Sequence, residues 1–566
     1  MVRMLKKMSE KISWPNGFRG LLFFALLLVC FFSYEMGNRP FASPDEGRYV
    51  EIPREMIVSG DYVTPKLNGL NYFEKPPLLY WMQSAVANVC SVNEYSMRVI
   101  IVIFAILGCL SVFLIGRKRF SNTVGLLSAS VLATNLLYYA HSHLIILDLV
   151  VSVLMCGVLW CFYSAFVQQE FKVGRKIIVL MYALAAFACL TKGLIGIILP
   201  GFVAFLWVAF TNNWRRVPEM ISLPGIILFF AIAAPWHILM AIRHDDFLYK
   251  YFVVEHFQRY TTTIHERYQP AWFFIPIVIA GLFPWTGFSF IAIKNAFKKS
   301  IEKNSELIFF MCWIFGIFAF YSFSNSKLIP YILPIVPPIA LITGANISKS
   351  IDENEGRDFK NAVLINMGLF ACFLIAFFCY QNKLNDLLND KYFMVALYAI
   401  VGLLIAGLVV LCFAYFVKQS RFASILVLLF VSMNLMWVIN KGSATYQDIK
   451  KPSTKNMAEL IRLNKTKDDL VYCYSYYYQD LPVYIRDMVG VVDFVGELEF
   501  GLHSDGGDKT GIRFLTKDKF WDMWNTTNKR IFLLLSLESY RNVFVDRKIK
   551  HRILGMDKHF IVIMNR

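Results

Sequence analysis

The sequence predicts a polytopic α-helical membrane protein with about 13 transmembrane helices and a C-terminal extracytoplasmic α/β domain. Three observations predict this fold class. The chain has 566 residues, of which 57% are hydrophobic and only 17% are charged. Apolar runs of membrane-spanning length recur up to residue 440. Beyond that point, strand-like and helix-like segments alternate.

Thirteen apolar runs are predicted to span the membrane when shorter runs with apolar flanks are included. They lie at 20-34, 97-115, 122-140, 146-167, 176-190, 193-210, 221-242, 272-293, 306-323, 328-347, 362-380, 392-417 and 421-440. We therefore expect a transmembrane domain at 1-440, which includes a first outer loop at 35-96. The remaining residues, 441-566, form the predicted α/β domain.

Basic residues in the short loops set the predicted orientation. Lys and Arg cluster in the N-terminal tail, at 116-120 and at 294-303, and such clusters favour the cytoplasmic side. An odd number of spans then places the C-terminus and the loop 35-96 in the periplasm. The apolar stretch Leu78 to Val92 would reverse this orientation if it crossed the membrane. Because it contains Gln83, Ser84 and Asn88, we expect an amphipathic helix at the membrane surface.

The α/β domain is predicted from short segments of alternating type. Helical patterns cover Met457 to Leu463 and Lys517 to Trp524. Extended patterns cover Leu470 to Tyr476, Gly490 to Val495, Ile531 to Leu535 and Phe560 to Met564.

The net charge of +17 suits anionic membrane lipids or a phosphate-bearing substrate. No nucleic-acid partner is expected, because the basic residues fall in short loops between apolar runs. The 11 cysteines include no C-x-x-C pair, so we expect neither a disulfide framework nor a zinc-thiolate site.

The first outer loop begins with Ser43-Pro44-Asp45-Glu46, which matches a capping box with Pro at the first helical position. One interpretation is that Asp45 only starts a helix. The same helix places Arg48 and Tyr49 three and four residues after Asp45, so an acid, a cation and a phenol share one face. The alternative interpretation is that this face is catalytic.

Glu74-Lys75-Pro76-Pro77 holds a lysine in a stiff segment, because a residue before proline is restricted to extended geometry. A stiff lysine at a membrane interface suits a phosphate. The alternative is a lysine that reaches the lipid headgroups.

Further ionisable residues lie in the predicted outer loops. Asp148 is at the edge of the fourth span, where a charge is costly and therefore indicates function. Lys192 lies in a tight turn, and Lys327 and Tyr331 share another. Glu255, His256 and Arg259 have helical spacing. Glu74 and His256 together are candidate ligands for a divalent metal such as zinc.

Several of these motifs resemble the family of bacterial lipid A 4-amino-4-deoxy-L-arabinose transferases, which is related to the protein O-mannosyltransferases. The resemblance covers the whole chain and rests on PDEGRYVEIPREM, FEKPPLLYW, LTKG, SNSKLIPYILP and YYQDLPVYIRDMVGVVDFVGELEFG. It implies the C-type membrane glycosyltransferase fold. It also implies a donor, undecaprenyl phosphate bearing aminoarabinose, and an acceptor, a phosphate of lipid A.

The resemblance also implies roles for individual residues. Asp45 and Asp148 match catalytic acids, and Glu74 and His256 match a metal pair. Contacts to the donor phosphate are implied for Arg48, Lys75, Lys192 and Tyr331. Tyr49, Arg259 and Lys327 are further candidates.

The function so predicted is inner-membrane transfer of aminoarabinose to lipid A, which confers resistance to cationic antimicrobial peptides such as polymyxin. One alternative is a related transferase that uses a polyprenyl-phosphate sugar and modifies protein Ser/Thr or another glycolipid. The non-enzymatic alternative is a lipid transporter or flippase.

Overall fold

The computed structural model describes residues 18–168, 174–262, 268–352, 356–380, 390–417, 421–450, 452–504, 511–545 and 549–566. The chain forms two compact units. The first, which we call the helical unit, consists of Met1–Met36, Val99–Pro235 and His256–Thr445. The second, which we call the mixed unit, consists of Gly37–Arg98, Trp236–Glu255 and Tyr446–Arg566. The first outer loop and the C-terminal domain therefore belong to the same unit.

The chain is a polytopic helical membrane protein, as predicted. Among the described residues, eight helices are long and apolar enough to cross a membrane. They are Glu94–Arg119, Leu147–Val167, Leu223–Arg243, Ser305–Phe323, Ile329–Ile351, Gly356–Cys379, Lys391–Phe416 and Arg421–Lys450.

Four other predicted spans are also helical but are shorter, broken or flanked by charges. They are Phe18–Phe32, Asn122–Ala133 with Leu136–His141, Arg175–Lys192, and Ile195–Thr211. The break in the second of these lies at Asn135, whose side chain accepts a hydrogen bond from the Tyr138 amide and so starts a new helix. The exact number of thirteen spans stays a prediction.

The predicted span at 272-293 is not a straight helix. Ala271–Gly281 and Thr286–Ile301 meet at 117°, as a broken span or a re-entrant loop. Pro284 lies in the break, where its missing N–H prevents a continuous helical hydrogen-bond ladder. Apolar composition alone does not distinguish this geometry from a straight span.

In the mixed unit, the first outer loop folds into two helices and a hairpin. The helices are Asp45–Ser59 and Leu78–Cys90, and the hairpin pairs β1 (Lys66–Leu67) with β2 (Leu70–Asn71). Leu78–Cys90 has 13 residues and so extends only about 20 Å, which is too short to cross a membrane. Its position at the membrane surface stays a prediction.

The predicted capping box at Ser43 is wrong. The helix begins at Asp45 and has no side-chain cap, and Ser43 Oγ instead donates to Gln479 Oε1 at 2.8 Å. The helix ends at Gly60, whose φ of 71° allows its N–H to reach the Met56 carbonyl.

The C-terminal domain contains a six-stranded mixed sheet. Its strands are β3 (Leu470–Tyr474), β4 (Gly490–Val492), β5 (Phe514–Leu515), β6 (Ile531–Ser536), β7 (Arg552–Met556) and β8 (Phe560–Met564). Their order is β5-β4-β3-β6-β8-β7, with β5, β4, β3 and β6 parallel and the last two pairings antiparallel. β6 and β8 are almost fully buried, and Phe520 and Trp524 of the helix Lys517–Thr526 pack against the sheet. The predicted α/β domain is present.

Shorter helical segments complete the described chain. They are Trp214–Arg216, Val217–Met220, Tyr249–Gln258, Arg259–Thr261, Lys455–Asn464, Leu481–Ile485, Gly496–Leu498, Glu499–His503, Leu537–Tyr540 and Arg541–Val545.

Candidate active site

The first turn of the helix Asp45–Ser59 is fixed by a buried carboxylate, that of Glu46. Arg98 binds both oxygens of Glu46, at 3.0 and 2.8 Å, and Arg39 donates to one of them at 2.9 Å. Burial raises the pKa of Glu46, but the charges of Arg39 and Arg98 more than offset this and lower it to about 2. Glu46 is therefore ionised, and it attaches the start of the helix to Arg39 and Arg98.

One turn further, Arg48 lies inside a polar cluster of the mixed unit. Its Nη2 is 3.8 Å from Asp45 Oδ1, its Nε is 2.8 Å from Glu497 Oε2, and its Nη1 donates to the Tyr72 hydroxyl at 3.4 Å. Burial lowers the pKa of Arg48, but Tyr72, Glu497 and Glu74 more than offset it, so the pKa is raised. Arg48 is a permanently charged, mostly buried cation.

The predicted face of Asp45, Arg48 and Tyr49 is formed. The guanidinium carbon of Arg48 lies 6.0 Å from the centroid of the Tyr49 ring. The Asp45 side chain is 64% exposed, whereas that of Arg48 is 11% exposed. The acid can therefore meet an incoming group while the cation is held in place.

Lys75 is held in the same unit by two acceptors. Its ammonium donates to the Glu74 carbonyl at 2.8 Å and lies 3.6 Å from Glu255 Oε2. Its side chain is only 10% exposed. This geometry disagrees with a lysine that simply extends to lipid headgroups, because such a side chain would be solvated at its tip.

The helical unit contains a second cluster of predicted residues. Lys192 pairs with Asp148, and its ammonium lies 4.4 Å above the centroid of the Tyr331 ring. The Tyr331 hydroxyl accepts a hydrogen bond from Arg259 Nη2 at 3.4 Å. Gly193 follows Lys192 with φ of 86°, which ends the helix Arg175–Lys192 at the lysine. The predicted residues Asp148, Lys192, Arg259 and Tyr331 thus lie in one cluster.

Two other candidates are engaged with the backbone. His256 Nε2 accepts the Leu194 amide at 3.2 Å. Lys327 is buried and donates to the carbonyls of Gln269 and Ser324, and this burial lowers its pKa. Lys327 thus links its own turn, through Ser324, to the distant residue Gln269.

The predicted metal pair of Glu74 and His256 can be compared with the residues that the structure describes. Within those ranges, no group of three or more His, Cys, Asp or Glu side chains is arranged to hold a metal ion. The Nε2 lone pair of His256 is already used by a backbone amide. The Glu74 and His256 metal pair stays a prediction, and no chemical step is derived from it.

Sequence reasoning missed Glu497, which reaches Arg48 from the C-terminal domain. Gln479 Nε2 donates to Glu497 Oε1 at 2.6 Å and orients it. Both residues lie within the quoted motif at 477 to 501, so the motif pointed to this region without assigning a role.

Two family models match parts of this chain. The dolichyl-phosphate-mannose-protein mannosyltransferase model matches residues 74–239. The aminoarabinose transferase C-terminal domain model matches residues 457–565.

Curated relatives carry a more specific description. Undecaprenyl phosphate-alpha-4-amino-4-deoxy-L-arabinose arabinosyl transferase 1 of Proteus mirabilis is 32% identical over 385 residues, 66% of this chain and 67% of that protein. The corresponding transferase of Aeromonas hydrophila is 29% identical over 353 residues, 61% of this chain and 63% of that protein. The chain thus matches about two thirds of the length of these relatives.

A solved structure has the same fold. The crystal structure of ArnT from Cupriavidus metallidurans bound to undecaprenyl phosphate superposes with a TM-score of 0.82 at 24% identity. The match covers 96% of this chain and 97% of that chain.

Proposed function

Because the chain belongs to the family of undecaprenyl phosphate-aminoarabinose arabinosyl transferases, we propose that it transfers 4-amino-4-deoxy-L-arabinose from undecaprenyl phosphate to a phosphate of lipid A. The chain is a glycosyltransferase and a multi-pass protein of the inner membrane. The observation that carries the proposal is the pair of mostly buried cations, Arg48 and Lys75, beside Glu74 in the mixed unit.

The reaction needs these cations at the leaving group. An oxygen of the acceptor phosphate forms a bond to the anomeric carbon, and the bond from that carbon to undecaprenyl phosphate breaks. The transition state resembles an oxocarbenium ion, and the departing phosphate gains negative charge. Cations that are already fixed stabilise this charge more than they stabilise the ground state.

In this proposal, Arg48 and Lys75 contact the departing phosphate in different ways. Arg48 presents a planar fork suited to two phosphate oxygens, and Lys75 acts as a point charge. Lys192 and Tyr331 are further proposed phosphate contacts, and the Lys192 and Asp148 ion pair fixes the lysine.

Asp45 has two possible partners in the reaction. An ionised phosphate acceptor needs no base, and Asp45 then binds the ammonium group of the sugar. A hydroxyl acceptor needs a base, and Asp45 then removes the proton. Its exposed side chain beside Arg48 is compatible with either role, and the identity of the acceptor decides between them.

The transfer changes the charge of the membrane surface. Each added aminoarabinose carries an ammonium group, which offsets the negative charge of a lipid A phosphate. Cationic peptides such as polymyxin are then attracted less strongly. The acceptor faces the periplasm in this proposal, which requires the N-terminus in the cytoplasm and the C-terminus in the periplasm.

The proposal is tested with purified full-length protein, undecaprenyl-phosphate aminoarabinose and lipid A. Release of undecaprenyl phosphate should require lipid A. Replacing lipid A by a Ser/Thr-containing peptide or another glycolipid tests the alternative acceptors. If the donor is consumed only with one of those acceptors, lipid A is the wrong acceptor. A transporter would move donor across a vesicle membrane without cleaving it.

The predicted divalent metal is tested separately. EDTA treatment of the purified protein, followed by addition of zinc, measures whether transfer requires the metal; an unchanged transfer rate in EDTA would remove the Glu74 and His256 pair from the mechanism. A loss of activity that zinc restores would show that the metal is needed.

A further inference from the structure

Glu255 is a buried carboxylate of the mixed unit that the proposed chemistry does not yet use. Its side chain is 1% exposed. Its Oε2 lies 3.6 Å from Lys75 Nζ, and its Oε1 lies 3.6 Å from Lys250 Nζ. Burying a carboxylate is costly unless cations or donors face it. One carboxylate is therefore shared by two lysines, one of which is the proposed phosphate contact.

The pairing of Lys250 with Glu255 depends on a local distortion of the backbone. Both residues lie in Tyr249–Gln258, a π-helical segment of ten residues. In an α-helix, residues five apart point about 140° away from each other, because each residue turns 100°. In a π-helix, the hydrogen bonds join residues five apart, so these positions lie near each other. The distortion places Lys250 and Glu255 together, and such distortions are frequent at functional sites.

Aromatic contacts connect Lys250 to the segment that carries Lys75. The Lys250 ammonium lies 5.0 Å from the centroid of the Phe500 ring. Phe500 in turn packs edge-on against Phe73, with the ring centroids 5.4 Å apart, and Phe73 immediately precedes Glu74 and Lys75. Lys250 thus contacts the Lys75 region through Glu255 and through Phe500.

Lys75 needs such a neighbour for electrostatic stabilisation. A lysine has a flexible four-carbon stem, and a charge that stabilises a transition state must be placed before the reaction. The Glu74 carbonyl and the Glu255 carboxylate hold its ammonium from two directions. However, a carboxylate at this distance also repels a phosphate that approaches Lys75. Lys250 reduces that repulsion, because it neutralises the other oxygen of the same carboxylate.

We propose that Glu255 is a positioning residue for Lys75, and that Lys250 balances the charge of Glu255 so that the donor phosphate can bind beside it. This inference rests on the proposed role of Lys75 at the donor phosphate. Neither Glu255 nor Lys250 needs to touch the substrate. The two residues have different kinetic signatures, because one orders a catalytic cation and the other removes a repulsive charge.

The test measures kcat and the KM for undecaprenyl-phosphate aminoarabinose with purified full-length variants and lipid A. Glu255→Gln should lower kcat about tenfold without raising KM, because Lys75 loses its placement but no repulsive charge remains. Lys250→Met should raise KM about tenfold and change kcat less than about twofold, because Glu255 is then uncompensated. The double variant, which combines Glu255→Gln with Lys250→Met, should have the wild-type KM, since it has no uncompensated carboxylate.

Lys465→Met is the matched control. Lys465 pairs with Asp487 in the same unit but outside the cluster, and its removal should change neither parameter. Melting temperatures of all variants identify any that fail to fold. A Lys250→Met variant with unchanged KM, or a double variant whose KM stays as high as that of Lys250→Met, would overturn the inference.

The Lys75→Ala variant distinguishes a failure of the proposed role of Lys75 from a failure of the inference about Glu255 and Lys250. If this variant loses transfer while Lys250→Met keeps a normal KM, only the inference about Glu255 and Lys250 fails. If Lys75→Ala retains full transfer, the proposed role of Lys75 fails, and the inference fails with it.

Discussion

Replacement of Glu55 by Gln should flatten the pH dependence of stability in the mixed unit. Glu55 lies in the helix Asp45–Ser59, and the amide of Gly69 donates to its carboxyl oxygens at 2.9 and 3.2 Å. Glu51 lies one turn earlier and forms two hydrogen bonds with Arg54, at 2.6 and 2.5 Å. Both acids are buried, and Arg54 forms these hydrogen bonds with Glu51.

The size of the effect follows from the pKa of Glu55. Burial is the largest cause of its change, the charge of Glu51 adds to it, and together they raise the pKa from 4.5 to about 8. At 1.36 kcal/mol per pH unit, this difference corresponds to about 5 kcal/mol. Glu55 ionises at a lower pH in the unfolded chain than in the folded protein. Its contribution to the free energy of unfolding is therefore fully present below pH 4.5 and is lost progressively as the pH rises to about 8.

A neutral Gln can accept the Gly69 amide in the same way but has no proton to lose. We expect Glu55→Gln to resemble the wild type at pH 5 and to be more stable at pH 9, by at most about 5 kcal/mol. Melting curves of the detergent-solubilised protein between pH 5 and 9 measure this. Glu459→Gln removes an exposed acid from the same unit and should leave the pH dependence unchanged. Parallel curves for Glu55→Gln and the wild type would refute the reasoning.

Two further substitutions test the first outer loop. Arg48→Lys removes the planar fork that contacts Tyr72 and Glu497, and it should raise the transfer barrier by about 2 to 4 kcal/mol, a fall in kcat of roughly 30- to 1000-fold. Steady-state transfer kinetics measure this, and an unchanged kcat would remove Arg48 from the mechanism. Glu46→Gln leaves Arg39 and Arg98 without their carboxylate, and it should destabilise the protein by about 3 to 5 kcal/mol. Denaturation midpoints test this second expectation, which an unchanged midpoint would contradict.

The sequence predicts the fold class well because membrane insertion depends on local composition. All thirteen predicted spans contain helical structure, but the span at 122-140 is broken at Asn135 and the span at 272-293 bends sharply between Gly281 and Thr286. The buried strands β3, β4, β6 and β8 are also apolar and locally recognisable. β5 has only two residues, and β7 is largely exposed, so neither has the alternating pattern that identifies a strand.

The candidate site is predicted less completely because its contacts join distant parts of the chain. The spacing of Ser43 and Glu46 predicts a capping box. In the structure, the Ser43 hydroxyl instead donates to Gln479, and Arg98 donates to the Glu46 carboxylate. Glu497 approaches Arg48 from the C-terminal domain, and local spacing contains no information about that contact. The face of Asp45, Arg48 and Tyr49 is predicted correctly, since it depends only on helical periodicity.

Mass spectrometry of lipid A tests the central proposal most directly. Lipid A should be compared from cells that express the wild-type chain, the Lys75→Ala variant or no copy. The proposal predicts lipid A with aminoarabinose added to a phosphate in the wild-type cells, and no such addition in the other two. Lipid A that is unmodified in cells expressing the wild-type chain, with donor available, would contradict it.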